Sequence, residues 1–194
     1  MPALFSIGYA TKAIETFIAH LHAQGINVVA DVRSVPYSKA FHDYHRENLI
    51  EHLRKAGIRY VYLGEELGPR SPCDAHYENG QVQFDRLQRS SAFLRGVERL
   101  LDGLDKGFSI ALTCAEKDPA VCHRSLLIAH FLKREHGLDI AHINHDGELE
   151  SESALSQRLM QETGIVPDML TGEAECLENA WREQSRRCAY KKPD

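Results

Sequence analysis

No apolar run in the chain approaches the roughly 20 residues that a membrane-spanning helix needs, so no membrane role is expected. The opening Met1-Pro-Ala-Leu-Phe-Ser-Ile7 has no charged stretch ahead of a long apolar one, so no secretory leader is expected. An excess of basic residues is also missing. The formal charge of -5 argues against a surface that coats nucleic acid, and the basic end Arg186–Lys192 reads first as a solvated tail. The five cysteines are odd in number and form no Cys-x-x-Cys pair. That excludes the usual secreted disulfide framework and points to free thiols in a reducing cytoplasm. A thiol-phosphatase loop is absent as well, because Cys114 has Ala120, not arginine, six positions on. There is no internal repeat, no low-complexity tract and no linker. What remains is 194 residues, 43% hydrophobic and 26% charged, enough for one buried core and short for two.

Short apolar runs alternate with amphipathic stretches. Ala3–Gly8, Ile26–Val32, Ile58–Leu63, Phe108–Thr113 and Asp139–Ile143 read as five strands, of which Ile26–Val32 is rich in β-branched residues and apolar on both faces. Ile14, Phe17, Ile18 and Leu21 make one helix face, with Thr11 as its expected N-cap and Gly25 as its stop. Leu49, Ile50 and Leu53 mark a second helix. Phe93, Leu94, Val97, Leu100, Leu101 and Leu104 mark a third. Residues 64–83 hold Gly68-Pro and Asn79-Gly80, which predict a long irregular excursion. The expected architecture is a Rossmann-like α/β sandwich of three layers. Its mainly parallel five-stranded sheet takes the doubly wound order 3-2-1-4-5. Residues 1–147 carry the site, and residues 148–194 form a C-terminal helical extension packed on the same domain.

In that order the turns after strands one and four open a crevice at the carboxyl ends of the sheet. The chemistry gathers there. Ile110-Ala-Leu-Thr-Cys-Ala-Glu-Lys-Asp-Pro-Ala-Val-Cys-His-Arg124 runs from a strand through a polar turn into an expected helix, with Asp118-Pro119 as its cap. Glu116 and Asp31 are the candidate acid–base groups, and Cys122 and His123 the other candidate catalytic residues. Arg33 and Arg124 are candidate anion grips, since a guanidinium fork fits phosphate or carboxylate. Tyr9 and Phe41 could stack on a ligand, and Cys114 and His142 would line its seat. No metal role is expected, because Cys122 and His123 are adjacent and would diverge on a helix. No cofactor is predicted.

In order, Gly8-Tyr9-Ala10, Asp31-Val-Arg33 with Pro36 and Ser38, Leu67-Gly68, Cys114-Ala-Glu116, Cys122-His-Arg124 and His142-Ile143 with Gly147 resemble domain-of-unknown-function family 488. Ala10 departs from the serine common there. The resemblance implies a small α/β protein, mostly bacterial, with a shared site at Asp31, Arg33, Cys114, Glu116, Cys122, His123 and Arg124. It implies no reaction.

Three functions stand open. The first is binding or turnover of a phosphate-bearing small molecule, a nucleotide or nucleic-acid fragment. The second is thiol redox or sulfur transfer through Cys122 and Cys114. The third is a ligand-binding or sensor module without catalysis. The expected partner is an anionic small molecule, with nucleic acid a weaker one. The oligomeric state is left open.

Overall fold

The computed structural model describes residues 4–193. Six strands form one sheet: β1 (Leu4–Gly8), β2 (Val28–Asp31), β3 (Arg59–Tyr62), and, after a hairpin of β4 (Tyr77–Glu78) and β5 (Gln81–Val82), the strands β6 (Ile110–Cys114), β7 (Ile140–Ile143) and β8 (Leu149–Ser151). The order is β3-β2-β6-β1-β7-β8. All neighbours are parallel except β7 and β8. The α/β class and the mainly parallel sheet agree with the sequence reading, but its strand order does not. The fourth of the five expected strands, β6, lies between the first two, and a sixth strand adds an antiparallel edge.

The reason is a skipped position. The crossover from β1 through α1 (Ile14–Ala23) to β2 passes over one slot, and β6 fills it. Local patterning shows that a strand is buried on both sides; it does not show which gap the strand enters. The five residues of β6 are all buried, as a central strand requires. The strand β8 escaped notice because Leu149-Glu-Ser is short and largely exposed, with no apolar face to read.

Right-handed crossovers send helices to one face when the chain moves one way across the sheet, and to the other face on the way back. The layers follow that rule. Ile14, Phe17 and Leu21 of α1 and Leu49 and Leu53 of α2 (Arg46–Lys55) share a core with Phe5, Ile7, Val29 and Ala111. On the other face, α3 (Gly64–Leu67), α4 (Phe84–Gln88), α5 (Ser91–Asp105), α6 (His130–His136), α7 (Glu152–Thr163) and α8 (Glu173–Cys188) surround Leu4, Val28, Ala30, Ile110 and Leu112. The C-terminal helices thus complete this second core through Leu155, Leu159, Ala180 and Trp181.

The chain after β6 is not the single α-helix that Asp118-Pro119 suggests. A 3-10 turn at Pro119–Val121 ends at Cys122, whose backbone is extended. Arg124–Ala129 then winds as a π-helix and runs into α6. All six residues of the π segment are buried. Burial of Leu126, Leu127 and Ile128, each worth about 1.5–3 kcal/mol, outweighs the poorer hydrogen bonding of a wound-out turn.

Candidate functional site

Register brings the predicted strand ends together. Gly8 pairs with Cys114, and Asp31 with Thr113. The helices that follow β1 and β6 pack on opposite faces, the arrangement in which open α/β sheets place ligands at the carboxyl ends of such neighbours. The ends of β1, β2 and β6 are thus neighbours, as expected, although through a different strand order.

Strand alternation then divides the residues between two faces. Asp31 lies with Val29 on the α1–α2 face, and Cys114 lies with Leu112 on the other. Asp31 is fully buried. It accepts hydrogen bonds from Arg33 Nε at 2.8 Å, Arg33 Nη2 at 2.6 Å and Tyr60 Oη at 2.8 Å. The remaining Arg33 donor, Nη1, reaches the Tyr44 carbonyl at 2.8 Å and Tyr9 Oη at 3.2 Å. Although burial opposes the charge, the Asp31 partner holds the Arg33 guanidinium protonated above its ordinary value. Tyr9 stacks on Tyr44 with ring centres 4.2 Å apart, and Phe41 meets it edge-on at 6.1 Å. These side chains form a closed internal unit. One face of Tyr9 is covered by Tyr44, so the stacking platform expected there is already filled.

Arg124 is likewise spent inside the protein. It has no exposed surface; its Nε reaches Ser6 Oγ at 3.2 Å and its Nη1 the Glu116 carbonyl at 2.8 Å. Ser6 Oγ in turn lies 2.7 Å from His142 Nδ1, and His142 Nε2 lies 2.6 Å from Glu152 Oε2. His142 is therefore a link in a buried chain running from Arg124 to α7, outside the cysteine cluster. Ser6 and Glu152 went unread in the sequence. A serine inside an apolar two-sided strand was a usable signal for the first; the second had none. The Asp118-Pro119 start is also engaged inside the protein. The Asp118 carboxylate caps Ala120 N at 2.9 Å and pairs with Arg158 at 2.8 Å.

The remaining four predicted residues do meet. Glu116 Oε2 lies 2.9 Å from Cys114 Sγ and 3.1 Å from Cys122 Sγ. His123 Nδ1 lies 3.5 Å from Cys114 Sγ and 3.9 Å from Cys122 Sγ. One donor atom from each of the four falls within 4.8 Å of every other. The expected divergence of Cys122 and His123 fails for a backbone reason. Cys122 sits at φ -118° and ψ 140°, ahead of the helix, so both side chains turn to one point. His123 Nε2 is 2.8 Å from the Val32 carbonyl, which can only accept. Nε2 therefore carries a ring proton, and Nδ1 faces the two sulfurs.

Electrostatics make this cluster unusual. Burial, then the neighbouring Cys122, pushes the Glu116 carboxyl up. Burial pushes the Cys114 thiol up strongly. Cys122 goes the other way: burial opposes its thiolate, but a hydrogen bond from Cys114 and the charges of Arg124 and His123 bring it down. Two thiols and a carboxylate thus share a buried space that cannot hold three bare negative charges without a compensating cation.

The loop after β1 holds a second electrostatic feature. Thr11, expected to cap α1, instead sits at φ +60°, and Ala13 takes the cap position. Lys12 beside it is buried, with its Nζ 2.9 Å from His20 Nδ1 and 3.1 Å from the Asn144 carbonyl. Burial, with Arg124 nearby, lowers its pKa to about 8. A base lowered from 10.5 carries its full penalty below about pH 8, and the penalty fades as pH rises toward 10.5. Lys12→Met is therefore expected to be more stable than the parent at pH 7 by on the order of 1 kcal/mol, after allowance for partial solvation. Urea titrations at rising pH should show that advantage shrinking; an advantage constant with pH would overturn it.

No curated protein matches the sequence. Two crystal structures of a DUF442 protein from Shewanella putrefaciens CN-32 are similar. One aligns at 15% identity and a TM-score of 0.40, covering 98% of this chain and 91% of the other. The second aligns at 16% and 0.42, covering 98% and 88%. Likeness at that level carries no functional argument. A family model described as "Domain of unknown function DUF488" matches residues 13–131, which span α1 through β6 and reach into α6, and include all four clustered residues. The chain belongs to the DUF488 family.

Proposed function

We propose that the protein is a metal-binding protein, with Cys114 Sγ, Cys122 Sγ, His123 Nδ1 and one Glu116 oxygen as ligands to a single ion of the zinc(II) class. The observation that carries this is the mutual distance of the four donors, all within 4.8 Å. Metal–ligand bonds of about 2.0–2.3 Å in a tetrahedron put donors about 3.3–3.8 Å apart. The separations of the two sulfurs from the Glu116 oxygen and the His123 nitrogen, 2.9–3.9 Å, bracket that range. The Val32 carbonyl supports the reading as an outer-sphere partner, since ligating histidines commonly donate their other N–H to such a group. A divalent cation would also replace the protons that the crowded acids otherwise retain.

The phosphate reading finds less support, because Arg33 and Arg124 are both engaged inside the protein. The thiol reading keeps one specific observation, the proximity of Cys114 and Cys122 to a shared carboxylate oxygen. One experiment separates it from the metal reading. Purified protein is expected to carry one zinc per chain by elemental analysis, with Cys122 slow to alkylate until a chelator removes the ion. Cys122→Ser and His123→Ala should each lose the metal. Metal-free protein that takes up no added zinc or cobalt, yet alkylates rapidly at Cys122, would replace this proposal with the thiol one.

A further inference from the structure

Four ligands do not by themselves distinguish a closed structural centre from one that exchanges a ligand. The four donors here are unequal. Cys114, Cys122 and His123 are 3%, 1% and 9% exposed, whereas Glu116 is an exposed residue of the turn whose carboxylate is drawn in beside the thiols. Its backbone is anchored independently of its carboxylate. The Glu116 carbonyl is held by Arg124, and the preceding residue bonds through its own carbonyl to Ala10 N at 2.8 Å. The Glu116 side chain can thus leave the cluster while the turn stays in place. A single oxygen, Oε2, makes both sulfur contacts, so its departure would vacate one position.

Resting on the metal reading above, we propose that Glu116 is the exchangeable ligand and that the group replacing it is a small-molecule thiol. Charge and softness select that class. A divalent ion with two thiolates, one neutral imidazole and one carboxylate has a net charge of -1, counted from the ligand types. Two thiolates feed electron density to the metal and make it a poor acceptor for hard phosphate or carbonyl oxygen, whereas thiolate ligands suit a soft site. In the exchange the Glu116 oxygen–metal bond breaks and a sulfur–metal bond forms. The thiol proton passes to the freed carboxylate. The centre keeps its charge of -1, with three thiolates in place of two thiolates and a carboxylate. No oxidant or reductant takes part. The product is a metal-held thiolate, which is the nucleophilic form of sulfur.

The test uses the full chain loaded with cobalt(II), which reports its ligands by absorption. Addition of 2-mercaptoethanol is expected to strengthen the sulfur-to-cobalt charge-transfer band, while acetate and inorganic phosphate leave it unchanged. Metal content after dialysis should stay at one per chain. Glu116→Ala and Glu116→Gln should retain cobalt and bind the thiol about tenfold more tightly, since no protein ligand competes. The inference is overturned if the thiol leaves the spectrum unchanged, if it strips the metal, or if the oxyanions bind equally well. It is also overturned if both Glu116 variants lose cobalt as Cys122→Ser does. Cobalt bound with two sulfurs but indifferent to thiol sinks this inference alone; a chain that takes up no cobalt sinks the metal reading with it.

Discussion

Asp31→Ala is expected to lower the unfolding free energy by about 3–5 kcal/mol, the range for breaking a buried ion pair from one side. Arg33 stays only 4% exposed and keeps its charge, but loses the carboxylate that takes two of its donors. Tyr60 loses its acceptor as well. Replacing both partners by apolar residues of similar size, Asp31→Leu with Arg33→Met, should restore most of the loss, because no orphaned charge remains. Urea denaturation of the two variants measures this directly. Metal content supplies the second readout. The pair lies on the sheet face away from Cys114, so the doubly substituted protein should still bind one ion per chain. A stable Asp31→Ala protein that loses only a ligand-dependent property would overturn the structural role and return Asp31 and Arg33 to the site.

The two motifs that looked alike in the sequence thus have different physical roles. Asp31-Val-Arg33 and Cys114-Ala-Glu116 each end a parallel strand, and their nearness was legible from that alone. Which face each side chain takes depends on strand parity, and the exchange of strand order hid the relation between the two parities. The strands were legible because Val28-Val-Ala30 and Ile110-Ala-Leu112 are apolar at every position, which only a two-sided burial explains. The placement of β6 between β1 and β2 was not legible, because skipping a slot is settled by how the helix layers pack. The cluster itself was legible as residue types and misread as geometry. Asp118-Pro119 has the signature of an ordinary helix start, yet the turn closes after three residues and Cys122 returns to extended backbone. That one extended residue turns two divergent neighbours into two converging side chains.

Gly8→Ala is expected to damage the proposed metal centre while leaving all four ligand side chains in the sequence. A Cβ built at Gly8 would lie 1.8 Å from the Glu116 carbonyl oxygen and 3.2 Å from Arg124 Nη2. The first contact is with backbone, so no side-chain rotation relieves it. The turn after β6 must retreat, and the same movement pulls the Glu116 carbonyl from Arg124, which now holds it at 2.8 Å. Overpacking of this kind costs about 1–3 kcal/mol and occasionally more. Loss of a buried hydrogen bond to a charged group adds about 1.5–3 kcal/mol. The larger consequence falls on the ligand set. Cys114 is held in β6, and Cys122 and His123 adjoin the buried π segment, but Glu116 rides on the displaced turn. Gly8→Ala should therefore unfold at lower urea and bind cobalt with a spectrum that has lost its fourth protein ligand. Gly172→Ala serves as the comparison, since its added Cβ meets nothing within 4 Å and its backbone lies at φ -74°. If Gly8→Ala keeps both the parent stability and the parent cobalt spectrum, the close approach of β1 to the Glu116 turn is not what holds this ligand in place.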